Sequence, residues 1–378
     1  MIVRVQEIKL NDTQKRYLLI DEKGFPIIPV AKYLKYIDNC GRSHNTQKTY
    51  CYALKAYFEY LRLINLDYKF VTLNVLIDFI EYLRNPYENN KIVSFKLTTS
   101  KRTEKTVNLI TTVITNFYDY LYRTEECNNN LIEKVMKQVF CRRYSNHKDF
   151  LYHINKDKSL NNNILKIKEP KRKIKILTNE QIQIIYNATT NIRDKFLIKL
   201  LFETGLRIGE ALSLFIEDII FSHSNGHKIK LVDRGELLNG AKLKTGEREL
   251  YISQELINLF DDYAYEVLDE LDIDSNFLFV KIKGQNKGKP LEYQDVSDIF
   301  KRLKKKTGID IYPHLLRHTH ATIYYQTTNN IKQVQERLGH LQIQTTMNMY
   351  IHLSDEDIRD SWETAQSSFN ISKEDTDE

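Results

Sequence analysis

Four short segments carry residues whose types and spacing suit phosphate chemistry. In YPHLLRHTHAT, residues 312–322, Pro313 fits a helix start and puts His314 and Arg317 one turn apart on the same face. An arginine fork meets two phosphate oxygens at once, while a histidine exchanges a proton near neutral pH. A surface His and Arg without a catalytic role fit that spacing equally well. In TGLRIGEAL, residues 204–212, Arg207 interrupts an apolar stretch flanked by Leu200, Leu201, Leu206, Leu212 and Leu214. A guanidinium there needs an anion. The internal candidates are Glu203 and Glu210, within about one helical turn, and Glu210 could hold Arg207 while its free edge meets a phosphate.

In AKLKTGERELYI, residues 241–252, Lys244 lies beside the tight turn Thr245, Gly246, and a strand resumes at Arg248. A hairpin tip can carry a lysine into a groove over a phosphate. Lys242 competes for that role, and an exposed hairpin lysine is the plain alternative. In ERLGHLQIQTTMNMYIHL, residues 336–353, a short helix ends at Gly339, His340 follows, and Tyr350 lies ten residues on. Thr346 and Tyr350, four apart, share one helical face. Tyr350 alone means little among 24 tyrosines; the order of the whole set carries more.

Arg207, Lys244, His314, Arg317, His340 and Tyr350 occur in the order Arg, Lys, HxxR, His, Tyr, each within its own motif. This resembles the tyrosine recombinase (phage integrase) family over residues 178 to about 365, and more weakly over SHNTQKTYCYALKAYFEYL, residues 43–61. Within the family the chain looks most like transposases or integrases of site-specific mobile elements. One departure is the interval of ten residues from His340 to Tyr350, where many members have nine.

The resemblance implies that Tyr350 attacks the scissile phosphate, leaving a 3′-phosphotyrosyl bond and a free 5′-hydroxyl. A 5′-hydroxyl from partner DNA then reverses the step, so no ATP, metal or cofactor is required. It also implies that Arg207 and Arg317 neutralise the transition state, that Lys244 protonates the leaving 5′-oxygen, that His314 takes the tyrosine proton, and that His340 donates to the phosphate. Double-stranded DNA is the implied partner, at attachment or transposon-end sites. Four protomers would assemble on two such sites, with accessory recombination proteins as further partners. A helix over residues 355–368 would dock on a neighbour, or pack on its own subunit. A type IB topoisomerase, a silent DNA-binding regulator and a metal-dependent nuclease are the competing functions. The intact residue set argues against the regulator, and no compact Asp/Glu cluster suits the nuclease.

These residues need elements to hold them. The expected fold class is mainly α with a small antiparallel β-sheet (α+β), a helical core-binding domain preceding the catalytic domain. A chain of 378 residues has room for at least two domains. The expected division is a strand-rich arm over 1–30, with a turn at Asp21 to Gly24; a helical DNA-binding domain over 31–160; a basic linker over 161–176; the catalytic domain over 177–370; and an acidic tail over 371–378. Apolar spacing marks helices near 46–64, with Ser43 or Asn45 as cap, and over 71–84 and 104–123. Thr178 and Gln181, three apart, suit a capping box. Two or three short strands fall between His227 and Ile252, another over 277–282, and helices resume from about Tyr293 through the basic stretch 301–306.

Charge adds to the case for a polyanionic partner. The net charge of +6 conceals a split: residues 354–378 hold nine acidic and two basic residues, a local −7 that leaves +13 for the rest. A low-GC coding bias explains many lysines equally well. In the linker, Lys166, Lys168, Lys171, Arg172, Lys173 and Lys175 crowd around Pro170 and could track a phosphate backbone as both domains clamp the duplex. A solvated surface strand is the alternative there. With 42% hydrophobic residues, no apolar run of roughly 20, an N-terminus unlike a signal peptide and four scattered cysteines, the expectation is a nucleoid-associated protein of the bacterial cytoplasm.

Overall fold

The computed structural model describes residues 3–10, 15–85, 101–127, 131, 135–139, 160–170, 175–222, 224–271 and 275–340. The chain divides into two compact units, Met1–Lys171 and Arg172–Glu378. Its architecture is the expected one, mainly helical with small antiparallel sheets.

In the first unit β1 (Arg4–Lys9) and β2 (Lys15–Ile20) form an antiparallel hairpin with Arg4 opposite Ile20. The expected turn at Asp21–Gly24 is present, with the Asp21 amide donating to the Phe25 carbonyl; β1 and β2 themselves are joined earlier in the chain. The turn follows β2, where the Asp21 carboxylate accepts from the Lys23 and Phe25 amides, and returns the chain to a single bridge between Ile20 and Pro26. Helix α1 (Ile28–Asn39), which apolar spacing had not singled out, starts immediately afterwards with a proline in its first turn. Helix α2 (His44–Leu63) is capped by Ser43 rather than Asn45, the Ser43 hydroxyl accepting from the Thr46 amide. Helices α3 (Leu73–Arg84) and α4 (Glu104–Arg123) complete the bundle, and β3 (Met136–Val139) pairs antiparallel with β4 (Leu160–Asn163).

The core of this unit is aromatic. Tyr33, Tyr57, Phe79, Phe117 and Tyr118 are buried among Leu54, Val107 and Leu121. The Tyr57 and Tyr118 hydroxyls meet at 2.7 Å, and Tyr118 also donates to the Tyr68 carbonyl. Val3, Tyr17 and Leu19 of the N-terminal stretch belong to the same core.

The second unit opens with α5 (Asn179–Asn187), whose capping box uses Thr178 and Gln181 in both directions. Helix α6 (Ile192–Thr204) ends at Gly205, which at φ 65° takes the left-handed conformation a side chain would resist. A single turn, α7 (Ile208–Ala211), follows. Strands β5 (Ile219–Ile220), β6 (Lys228–Leu231) and β7 (Arg248–Tyr251) make an antiparallel sheet in sequence order, Leu231 facing Arg248. Residues 277–282 form no strand, only isolated bridges at Phe277 and Val280. Leu278 donates to the Leu214 carbonyl on one side, while Leu291 donates to Phe279 on the other, so the segment changes partner before a ladder can build. Helix α8 (Gln254–Tyr263) runs on into a wider turn, Ala264–Asp269; α8, α9 (Tyr293–Thr307) and the start of α10 (Pro313–Thr328) pack on the main apolar core, while Val334 and Leu338 of α11 (Ile331–Leu338) form a small separate cluster with Ala321.

Candidate active site

Three segments distant in sequence meet at the carbonyl of Leu338. Arg317 lies on the first turns of α10 on the face that also buries Leu316 and His320, and only 1% of it is exposed. Its Nη1 donates to the Gly205 carbonyl at 2.8 Å, and its Nη2 to the Leu338 carbonyl at 2.8 Å. The same Nη2 stands 3.0 Å from His340 Nε2. Arg207, immediately before α7, brings Nη1 to the Leu338 carbonyl at 3.4 Å. Two guanidinium groups therefore converge beside one imidazole.

Glu210 is the anion that holds them. Its side chain is 1% exposed; Oε1 accepts from Arg207 Nη1 at 2.9 Å and from the Thr245 hydroxyl at 2.8 Å. Oε2 accepts from the Arg207 amide and from Arg248 Nη2, both at 3.0 Å, and lies 3.8 Å from Arg317. Of the two candidate partners for Arg207, the structure selects Glu210. Glu203 instead accepts from the Ser253 amide and hydroxyl at the start of α8. Burial alone would push the Glu210 carboxyl up, but Arg248, with Arg207, brings its pKa down to about 2. An anion fixed in this way holds its arginines in set positions.

His340 is buried just after the left-handed Gly339 that ends α11. Burial, then the charges of Arg317 and Arg207, lower its pKa to about 4. It is neutral at pH 7, and when Nε2 accepts from Arg317 its proton sits on Nδ1. His314 is exposed on the first turn of α10, its ring 4.4 Å from that of His318, whose pKa burial lowers to about 4. Lys244 is exposed in the connection from β6 to β7, beside Thr245, and Lys242 is exposed two residues before it. Both turns expected between His227 and Ile252 lie in that one connection.

Arg248 and Thr245 were not singled out from the sequence. A signal existed for Arg248: it shares the period-two inward face of β7 with buried Leu250, an unusual setting for an arginine. Its guanidinium also donates through Nε to the Arg337 carbonyl and through Nη1 to Thr245. Gly339 sits at φ 63°, which favours glycine, and a Cβ there would stand 2.8 Å from Arg248 Nη1 and from Thr245 Oγ1, so the side chains that hold Glu210 would have to shift.

Lys166, Lys168 and Lys175 of the basic linker are exposed. The stretch before Pro170 is anchored by Asn108, which donates to the Ile167 carbonyl and accepts from its amide. Lys171, Arg172, Lys173, Thr346, Tyr350, the helix expected over 355–368 and the acidic tail lie outside the described residues. Among the described residues no group of three His, Cys, Asp or Glu side chains is arranged to hold a metal ion, and no helix is long and apolar enough to cross a membrane.

Comparison with known proteins gives a consistent picture. The phage integrase family model matches residues 175–357. Transposase A from transposon Tn554 of Staphylococcus aureus is 39% identical over 363 residues, covering 95% of this chain and 97% of that protein. Tyrosine recombinase XerA of Saccharolobus solfataricus is 33% identical over 198 residues, 52% of this chain and 59% of that one. Among solved structures, the Tn1549 transposon integrase in complex with circular intermediate DNA superposes with a TM-score of 0.59 at 19% identity, over 88% of this chain and 98% of that chain.

Proposed function

This chain belongs to the phage integrase family and is a tyrosine-type site-specific DNA recombinase; from that membership and the geometry of Arg207, Arg317 and His340 we propose how it cuts and rejoins DNA. The observation that carries the proposal is the shared Leu338 carbonyl, which brings two guanidinium groups to one point beside an imidazole. Arg207, with 25% of its side chain exposed, meets the scissile phosphate, and Arg317 beneath it adds fixed positive charge.

Tyr350 is the nucleophile. Its oxygen forms a bond to phosphorus while the bond from phosphorus to the 5′-oxygen breaks; His314 accepts the phenol proton and Lys244 supplies one to the leaving oxygen. His340 donates from Nδ1 to a non-bridging phosphate oxygen. The tie from Thr245 to Glu210 supports the role of Lys244, because it fastens the neighbouring loop residue to the carboxylate that holds Arg207. Lys166, Lys168, Lys171, Arg172, Lys173 and Lys175 track the DNA backbone between a helical DNA-binding domain over 31–160 and the catalytic domain over 177–370. Four protomers act together on two transposon-end or attachment sites in the bacterial cytoplasm, with accessory proteins where the element supplies them.

The test uses nicked duplexes from the ends of the host element. The parent chain should form a covalent protein–DNA adduct in excess EDTA, and Tyr350→Phe none. Lys244→Ala should bind the duplex normally but cleave about 10²- to 10⁴-fold more slowly. An adduct formed by Tyr350→Phe would overturn the assignment of the nucleophile, and normal cleavage by Lys244→Ala that of the acid.

A further inference from the structure

Next to the convergent arginines lies a second, half-buried network that the cleavage chemistry leaves unused. Arg337 Nε donates to His320 Nε2 at 3.1 Å, and its Nη2 donates to the carbonyls of Glu203 at 3.0 Å and Tyr251 at 3.3 Å. The other nitrogen of His320, Nδ1, stands 2.9 Å from the Phe202 carbonyl. Because Arg337 can only donate, Nε2 must accept and Nδ1 must carry the proton, so His320 is neutral in one tautomer. The Arg337 guanidinium lies 5.1 Å from the centre of the Tyr324 ring, which in turn stacks on His320. Two side chains thus satisfy the Phe202 and Glu203 carbonyls near the end of α6 and the Tyr251 carbonyl at the end of β7 while packing on the Tyr324 ring of α10.

This matters because of what adjoins it. Arg337 is the residue before Leu338, whose carbonyl takes both Arg207 and Arg317, and three before His340. The Arg337 carbonyl accepts from Arg248, which also holds Glu210. On the other side, a Cβ on Gly205 would stand 2.5 Å from His320 Cδ2 and 3.0 Å from Leu338 Cδ2, and the Gly205 carbonyl accepts from Arg317. Imidazole, glycine turn and Leu338 are packed without slack, so a shift in one displaces the others.

We infer that Arg337 and His320 are positioning residues for DNA cleavage: together they fix α11 against the end of α6, and so set where the Leu338 carbonyl and His340 stand relative to Arg317. The inference rests on the reading that Arg317 and His340 serve the scissile phosphate. Neither Arg337 nor His320 touches DNA in this scheme, so their loss acts on the rate of the bound complex and not on affinity.

The full-length chain is tested on nicked duplex, with adduct formation followed at saturating DNA and affinity measured separately by fluorescence anisotropy. Arg337→Lys and His320→Phe should each slow adduct formation about 10²-fold, the effect of a displacement near 1 Å, while half-saturation stays unchanged. His320→Phe keeps a ring against Gly205 and Tyr324 but removes both hydrogen bonds. His320→Gln, which can accept from Arg337 and donate to Phe202, should recover most of the rate. The inference is overturned by parent-like rates in Arg337→Lys, by slowing that only follows weaker DNA binding, or by a folded His320→Gln no faster than His320→Phe. Arg337→Lys decides alone if His320→Phe does not fold. Arg317→Ala separates the two readings: if it forms adduct normally, the reading of the active site has failed, whatever Arg337 does.

Discussion

The two units bury different things. Among the described residues of the first, the buried polar side chains are Gln47, Asn108, Thr111 and Thr115, all uncharged, within a core of stacked and edge-on aromatic rings. The second buries Arg193, Asp194, Glu210, Asp218 and Arg317, together with His227, His320 and His340. Taking a charge out of water costs several kcal/mol unless it is paired and hydrogen-bonded, and replacing such groups by apolar ones is often neutral or stabilising. A helical bundle held together by aromatic and aliphatic packing has no need of them. Where buried charges cluster around one carbonyl in an enzyme, their function explains them better than stability does.

The sharpest way to break this contrast is Glu210→Gln. The substitution keeps the shape and leaves Arg207 and Arg248 without their anion. Cleavage of nicked DNA should fall by about 10²- to 10³-fold, the loss typical of one misplaced electrostatic group, and stability by up to about 3 kcal/mol, given that both arginines retain some exposure. Denaturant titration alongside the cleavage assay measures both. Parent-like cleavage would mean that the buried charge of the second unit is structural only.

Acidification should act on the second unit more gently. His318 and His340 are held at about 4 and His320 at about 3, chiefly by burial, against the ordinary value of 6.5. The folded state therefore binds fewer protons than the unfolded one. The stability these groups contribute is complete above pH 6.5 and is lost as pH falls through 6.5 toward 4. Counting only His320, the most deeply buried of the three, melting of the second unit should drop by at least roughly 5 °C between pH 7 and pH 5. Glu210 adds nothing in that window, since its own loss runs from 4.5 down to about 2. A midpoint independent of pH over this range would show that these histidines are not buried neutral.

The smallest effect belongs to the first unit. Tyr57→Phe removes the 2.7 Å bond to Tyr118, which keeps its bond to the Tyr68 carbonyl, and should cost about 1 kcal/mol. Cleavage of bound nicked DNA should not change. A slower cleavage step would tie the aromatic core to the chemistry and remove the division between the units.

What the sequence by itself determined here is local. The Thr178 and Gln181 capping box, the Ser43 cap, the proline start of α10 and the end of α11 at Gly339 are set by residues within a turn of one another. Helix positions over 46–64 and 104–123 follow from apolar spacing, and family membership from the order of a few polar residues in their motifs. Extended segments were less legible. A strand exists only through its partners, so 277–282 reads as one and yet forms only single bridges on either side. Only the tertiary structure chose Glu210 over Glu203, because both lie within one turn of Arg207 and the distinction depends on where Ser253 and Arg248 arrive. It alone brought Arg317 and Arg207 to one carbonyl and set Arg337 next to them, since long-range convergence depends on how whole helices pack and leaves no mark in the spacing of neighbouring residues.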